Sequence, residues 1–432
     1  MRQLYSLGFT LAFLIALPYF LIQGLRHRKY FSSFPQRLGI LPKDIQLCPP
    51  GGIWIHAVSV GEVLSVVPLI KKIRQRWPHR AVFLSTTSGS GQNLARQHLS
   101  TLDGIFYFPM DWQFAVRRSL SKVRPGLVLI LETEIWPNFL YECNQQGIAV
   151  CLANGRISDR SFRLYWRYRW LFRWALVLFD SCCMQDPIDR ERIVSLGVPS
   201  DKVEVCGNLK YDLELPGKFT EKLTYFRSLM KLGSASFLLV AGSTRKNEEA
   251  PVLRAFRSLQ QQCPQAILIL APRHLERCPE VVQLLETQSF RFIKRSELFS
   301  NEKPLSSDLP VEVILLDTLG ELPILYGLAD LVFVGGSLVP WGGHNLLEPA
   351  IFKKPVLFGP HMNNFRDMAQ HFIQFEAGLM VQDELELKQR LVDLYRDPVY
   401  RQRLGQNGYR IIQANQGASA RILNRMESCL SR

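Results

Sequence analysis

Apolar residues recur along this chain in two rhythms. From residue 50 onward, short runs rich in Val, Ile, Leu and Phe alternate with stretches in which apolar positions return every three or four residues. The runs at 51–59 (GGIWIHAVS), 80–88 (RAVFLSTTS), 104–109 (GIFYFP), 126–134 (GLVLILETE) and 148–155 (IAVCLANG) are nearly continuous and end in small or polar residues. That is the pattern of strands buried on both faces. Between them, 63–77 (VLSVVPLIKKIRQRW) and 90–99 (SGQNLARQHL) have helical spacing. Strands alternating with helices predict βαβ units and a parallel sheet. A second series follows at 236–244, 266–273, 311–317, 331–337, 355–360 and 377–382, and the stretch 220–236 separates the two. The expected fold is α/β: two doubly wound, Rossmann-like domains facing a cleft. Ligands in such sheets lie outside the carboxyl ends of the strands.

The amino terminus breaks this pattern. Leu4 to Leu25 carries no charged residue. At about 1.5 Å rise per residue it is long enough to cross a roughly 30 Å hydrocarbon layer. Arg26, His27, Arg28 and Lys29 follow, with no small-residue cleavage site, so a retained transmembrane anchor is expected over 1–28 rather than a signal peptide. Basic residues on the carboxyl side place the remainder in the cytoplasm. The domains expected beyond the anchor are 29–218 and 219–432, with the last helix packing back on the first.

Composition narrows the function classes. With 47% hydrophobic and 21% charged residues, the chain is globular rather than disordered, and a single long apolar segment excludes a polytopic membrane protein. The net charge of +14 is concentrated early: residues 1–200 hold 24 Lys and Arg against 12 Asp and Glu. A basic first half calls for an acidic partner: a membrane surface, a phosphorylated substrate or nucleic acid. The nine cysteines show neither disulfide nor zinc spacing, which suggests reduced thiols.

Candidate chemistry falls at strand ends. Glu62 follows the first strand in HAVSVGEV, where a carboxylate could serve as a general base. From position alone the preferred reading is that it favours the positive end of a helix dipole. Glu132 and Glu134 leave a very apolar strand, where two carboxylates are costly unless paired or used, and only one of them is expected to face the cleft. Lys210, in GNLKYD, could neutralise a phosphate or carboxylate as a point charge. Residues 156–174 interleave six arginines with seven aromatics, and the spacing of Arg163 and Arg167 puts both on one helical side with Trp166 and Trp170 close by. This suits an anionic bilayer surface; nucleic acid is the rival partner and the less favoured one. In the second series, small residues close four successive strands, ahead of 341–350 (WGGHNLLEPA). Such turns let a nucleotide phosphate approach backbone N–H groups. There is no GxxxxGK[ST] and no DxD, which argues against P-loop and metal-dependent nucleotide-sugar chemistry.

Taken together, the collinear motifs WIHAVSVGEV, LETEIWPN, NGRISDRS, GNLKYD, AGST, APRH, GELP, GGSLVPWGGHNLLEPA and PVLFGPHMNNF resemble those of the 3-deoxy-D-manno-octulosonic acid (Kdo) transferases of lipopolysaccharide synthesis. The resemblance implies a GT-B glycosyltransferase that carries Kdo from CMP-Kdo to a lipid A precursor at the cytoplasmic face of the bacterial inner membrane. It implies inversion, no cofactor beyond the donor substrate, no metal and no nucleic acid. By position, the family's general base falls on Glu62 and its transition-state stabilisers on Glu132 and Lys210. The CMP contacts fall on Pro272 and Arg273, on Gly320, Glu321 and Leu322, and on Asn345, Leu346, Leu347 and Glu348. One departure stands out: after AGST, where members often carry His and an acidic residue, this chain has Arg245 and Lys246.

Overall fold

The computed structural model of the chain describes residues 1–26, 29–43, 45, 48–213, 215, 218–230, 236–300 and 311–431. The chain folds into two compact units, Met1–Asp212 with Asn415–Arg432 and Leu213–Ala414.

The first unit is built on a seven-stranded sheet. Its strands are β1 (Gly52–His56), β2 (Val82–Thr86), β3 (Gly104–Tyr107), β4 (Pro125–Leu131), β5 (Ala149–Gly155), β6 (Ser181–Met184) and β7 (Val203–Val205), in spatial order β3-β2-β1-β4-β5-β6-β7. Every pairing is parallel. The strands are covered on both faces, as continuous apolar runs require. Trp54 joins a core with Phe83, Phe106 and Phe139 on one side, while its neighbours Ile53 and Ile55 join Val66, Leu69 and Ile73 on the other. The helix Ala418–Leu430 completes that second core with Ile422 and Met426. Its start is tied down by Asp212, whose carboxylate accepts from the Gly417 and Ser419 amides at 2.7 and 2.5 Å.

The second unit repeats the plan with β8 (Leu238–Thr244), β9 (Ile267–Pro272), β10 (Phe292–Lys294), β11 (Val313–Leu315), β12 (Leu331–Val334), β13 (Val356–Phe358) and β14 (Gly378–Met380). Their order is β10-β11-β9-β8-β12-β13-β14, again parallel throughout. In each sheet the strand order reverses beside the first strand, between β1 and β4 and between β8 and β12. Those are the topological switch points at which such folds bind ligands. Most of the stretch expected to separate the two series is a helix, Phe219–Leu229, which packs on the helix Leu322–Leu328 inside the second unit.

The amino terminus departs from expectation. The first helix, Arg2–Arg26, docks one face on the first unit. Ser6 hydrogen-bonds Asn138, Thr10 accepts from the Trp112 indole at 3.1 Å, Arg2 pairs with Glu142, and Phe9 and Phe13 meet Trp112 edge-on. Leu4, Leu7, Leu11, Leu14 and Ile15 remain exposed on the other face. Among the described residues no helix is long and apolar enough to cross a membrane, so the spanning helix expected over 4–25 is not supported; residues 27 and 28 of the expected anchor lie outside the described residues. The arginine–aromatic stretch forms two helices, Asp159–Arg167 and Arg169–Leu176, that meet at Tyr168. Phe162, Tyr165, Phe172 and Trp174 turn onto the core, which leaves Trp166, Tyr168 and Trp170 facing outward.

Candidate active site

Glu62 is placed by the turn that follows β1. Ser59 caps the helix Val60–Arg76, and Glu62, at its third position, closes a reciprocal capping box. Its Oε1 accepts from the Ser59 amide at 3.2 Å and from the Ser59 hydroxyl at 2.8 Å, and its Oε2 accepts from the Val58 amide at 2.7 Å. A carboxylate has about four acceptor positions. Three are filled, so Oε2 keeps one open. The side chain is 7% exposed. Burial raises its pKa above the usual value and outweighs the three hydrogen bonds that favour the charged form, with the nearby Glu132 adding to the rise.

The end of β4 brings two further carboxylates to the same place. Residues two apart along a strand share a face, and β4 ends at Leu131, so the expectation that only one of Glu132 and Glu134 faces the cleft fails. Glu132 takes a left-handed φ of 55°, which ends the strand and turns the chain, while its amide still bonds the Ala153 carbonyl. Glu134 then lies close enough to both Glu62 and Glu132 to feel their charges. Burial and Glu62 push its pKa up to about 7. Glu62 has three donors to support its charge, whereas the buried Trp136 indole beside Glu134 makes no hydrogen bond among the described residues. Of the two, Glu134 is therefore the carboxyl more ready to take a proton near neutrality. Sequence reasoning missed Glu134 as a member of the site.

Lys210 sits in the single turn Leu209–Tyr211 after β7. Asn154, at the end of β5, holds that turn by accepting from the Leu209 amide, and Asn208 accepts from the Lys210 amide. The turn packs on the helix that carries Glu62. The structure thus gathers Glu62, Glu132 and Glu134 at the switch point, with the Lys210 turn on the neighbouring helix.

In the second unit, the organising side chain is one the sequence did not single out. Glu248 is fully buried, and its carboxylate accepts from four amides: Arg245, Gly336, Ser337 and Leu338, at 2.5–2.9 Å. It pins the turn after β12 to the turn after β8, across the second switch point. Gly336, with φ of 68°, supports that turn, since an added Cβ would meet the His344 ring at 3.0 Å.

The nucleotide candidates sort into two groups. Pro272 ends β9, and Arg273 beyond it is exposed. Glu348 lies in the four-residue helix Leu347–Ala350, at its second position rather than a full turn in. Burial raises its pKa, opposed by Arg273 and by a hydrogen bond from Asn345. Asn345 also accepts from the Leu347 amide at 3.1 Å, while Leu346 and Leu347 are core residues that contribute backbone only. Glu321 is tied to the fully buried Arg295 at 3.0 Å and to the Thr318 hydroxyl, so its side chain is structural. At Gly320 and Leu322 it is therefore the backbone that is presented. Gly320 has φ of 81° and open space around its Cα.

Residues 32–213 match the family model "3-Deoxy-D-manno-octulosonic-acid transferase (kdotransferase)". The chain is 35% identical over 385 residues to a 3-deoxy-D-manno-octulosonic acid transferase of Haemophilus influenzae, covering 89% of this chain and 88% of the relative. It is 30% identical to one of Chlamydia muridarum, over 96% and 94% of the two chains. Among solved structures it is similar to a UDP-GlcNAc 2-epimerase from Neisseria meningitidis, with a TM-score of 0.56 at 17% identity, covering 87% of this chain and 100% of the epimerase. That likeness shows the fold alone.

Proposed function

This chain belongs to the 3-deoxy-D-manno-octulosonic acid transferase family, a group of glycosyltransferases of lipopolysaccharide synthesis, and from that premise we propose that it transfers Kdo from CMP-Kdo to a lipid A precursor with inversion. The observation that carries the mechanism is the open acceptor position on Glu62 Oε2, in a carboxylate otherwise immobilised by its capping box. An acceptor hydroxyl hydrogen-bonded there gives its proton to Glu62 as its oxygen bonds the anomeric carbon of Kdo. The bond from that carbon to the phosphate oxygen breaks, and CMP leaves with the electron pair. A positive centre such as Lys210 offsets charge that develops in the transition state, and Glu132 favours positive character at the sugar carbon. CMP is held by the second unit through Arg273, the backbone at Gly320–Leu322 and the Asn345–Glu348 turn. The reaction takes place at the cytoplasmic face of a bacterial inner membrane. The exposed leucines of the first helix, with Arg163, Trp166, Arg167 and Trp170, make the contact with anionic lipid. Incubating the purified chain with CMP-Kdo and a tetraacylated lipid A precursor, then weighing the product, tests this reading. A product heavier by one or more Kdo residues is expected. An unchanged precursor, under conditions in which CMP-Kdo stays intact, would overturn it.

A further inference from the structure

Arg245 stands where the family resemblance gave no role. It follows β8 at the second switch point. Its Nη1 donates to His274 Nε2 at 2.6 Å, and its guanidinium lies 5.0 Å from the centroid of the Trp341 ring, which is 55% exposed. An arginine can only donate. His274 Nε2 is therefore the acceptor, and that imidazole is neutral with its proton on Nδ1. Burial and the neighbouring Arg245 lower the His274 pKa in the same sense.

The cluster is cationic, and its nearby carboxylates, Glu248 and Glu348, form no ion pair with it among the described residues. Arg277 is paired with Glu249 and Glu280, but among the described residues neither Arg245 nor Arg273 forms an ion pair. The nearest carboxylate along the chain, Glu248, is spent on four amides. Arg245 Nε is buried without a hydrogen-bond partner. Burial and the charges of Arg273 and Arg277 bear against the Arg245 cation, opposed by Glu248, and burial with Arg273 and Arg245 pushes His344 down to about 4. A planar, always-charged group that is stacked on an aromatic ring, oriented by a neutral histidine and missing a partner for one N–H is built to receive an anionic oxygen.

We propose that Arg245, held between Trp341 and His274, is an additional donor-binding residue that takes an anionic oxygen of the nucleotide sugar, from either its phosphate or the carboxylate of its sugar acid. This rests on the reading of the second unit as the CMP-sugar unit. Trp341 supplies the platform and His274 fixes the fork; both are positioning residues.

The test measures CMP, cytidine and CMP-Kdo binding to the full chain by titration calorimetry, in the wild type and in Arg245→Ala, Arg245→Lys and Trp341→Ala. Loss of a charge-assisted contact should weaken the anion by roughly ten- to a hundredfold, with cytidine unchanged. If Arg245→Ala weakens CMP and CMP-Kdo alike, the phosphate is the partner. If only CMP-Kdo weakens, the partner is the sugar carboxylate. Arg245→Lys should recover part of the loss, and Trp341→Ala should show part of it. Wild-type affinity for both ligands in folded Arg245→Ala would overturn the proposal. Failure of the wild type to bind CMP at all would instead overturn the underlying reading of this unit.

Discussion

Replacing Glu62 by Gln separates chemistry from capping. In the native structure Oε2 accepts from the Val58 amide and Oε1 from the Ser59 amide and hydroxyl. A glutamine keeps one acceptor oxygen and presents an NH₂ on the other side. If that oxygen stays with Ser59, the NH₂ faces the Val58 amide and leaves a buried donor without a partner, at a cost of about 1–3 kcal/mol. Part of this is returned, because a buried charge repelled by Glu132 is removed. A net loss of about 1–2 kcal/mol should lower Tm by roughly 2–8 °C, given about 2–4 °C per kcal/mol for a domain of this size. The catalytic loss is of a different order. Removing a positioned base costs about 10²–10⁴ in turnover, or roughly 3–5 kcal/mol of barrier. Steady-state kinetics with CMP-Kdo and lipid A precursor, run well below the variant's Tm, should show kcat falling by that factor. KM for CMP-Kdo should hold, because the proposed donor contacts lie in the other unit. A Glu62→Gln enzyme that melts a few degrees early but turns over at the wild-type rate would refute the base assignment and leave Glu62 as a helix cap.

The remaining expectations are more compact. Glu134 has a folded pKa raised to about 7, so between its unfolded value and about 7 the folded state binds more protons, and its contribution to stability is lost as pH rises through that window. Glu134→Gln should accordingly raise Tm relative to wild type at pH 8.5 and leave it nearly unchanged at pH 5; a benefit that does not vary with pH would mean the carboxyl is not carrying that burden. Glu248→Ala strips four amides of their acceptor and should cost about 3 kcal/mol or more, read as a lower urea midpoint. An unmoved midpoint would show that the turn after β12 does not depend on this carboxylate. Replacing Trp166 and Trp170 together by Ser should release protein from anionic vesicles in co-sedimentation at low salt, since both rings are exposed and Arg169 stacks 4.7 Å from the Trp166 centroid. Undiminished binding by the double variant would assign lipid contact elsewhere.

What could be read from the sequence follows the size of each signal. The long apolar runs became β1–β5 and six strands of the second sheet because a doubly covered parallel strand needs four or more consecutive apolar residues, and composition alone reveals that. SCCM, VEV and FIK became β6, β7 and β10 without such a run; edge or near-edge strands of three or four residues are held by ladder bonds to a neighbour, which no local pattern records. The same division runs through the site. The capping role of Glu62 was written as Ser59-x-x-Glu62, a reciprocal spacing that identifies both partners. The turn after β4 was not, because it includes a left-handed φ of 55° at Glu132, and glutamate has no special tolerance for that conformation. Nor did any glycine or proline announce the break at Tyr168 that turned four aromatics inward and three outward. Glu248 looked like one acid among several, and only its four amide partners show it to be the pin of the second switch point. Glu132 and Glu248 are respectively a strained and a fully satisfied polar group, each held in place by the surrounding fold. Such groups are where strain and buried charge are retained at functional sites, and here they surround the carboxylates and the cationic cluster on which the proposed transfer depends.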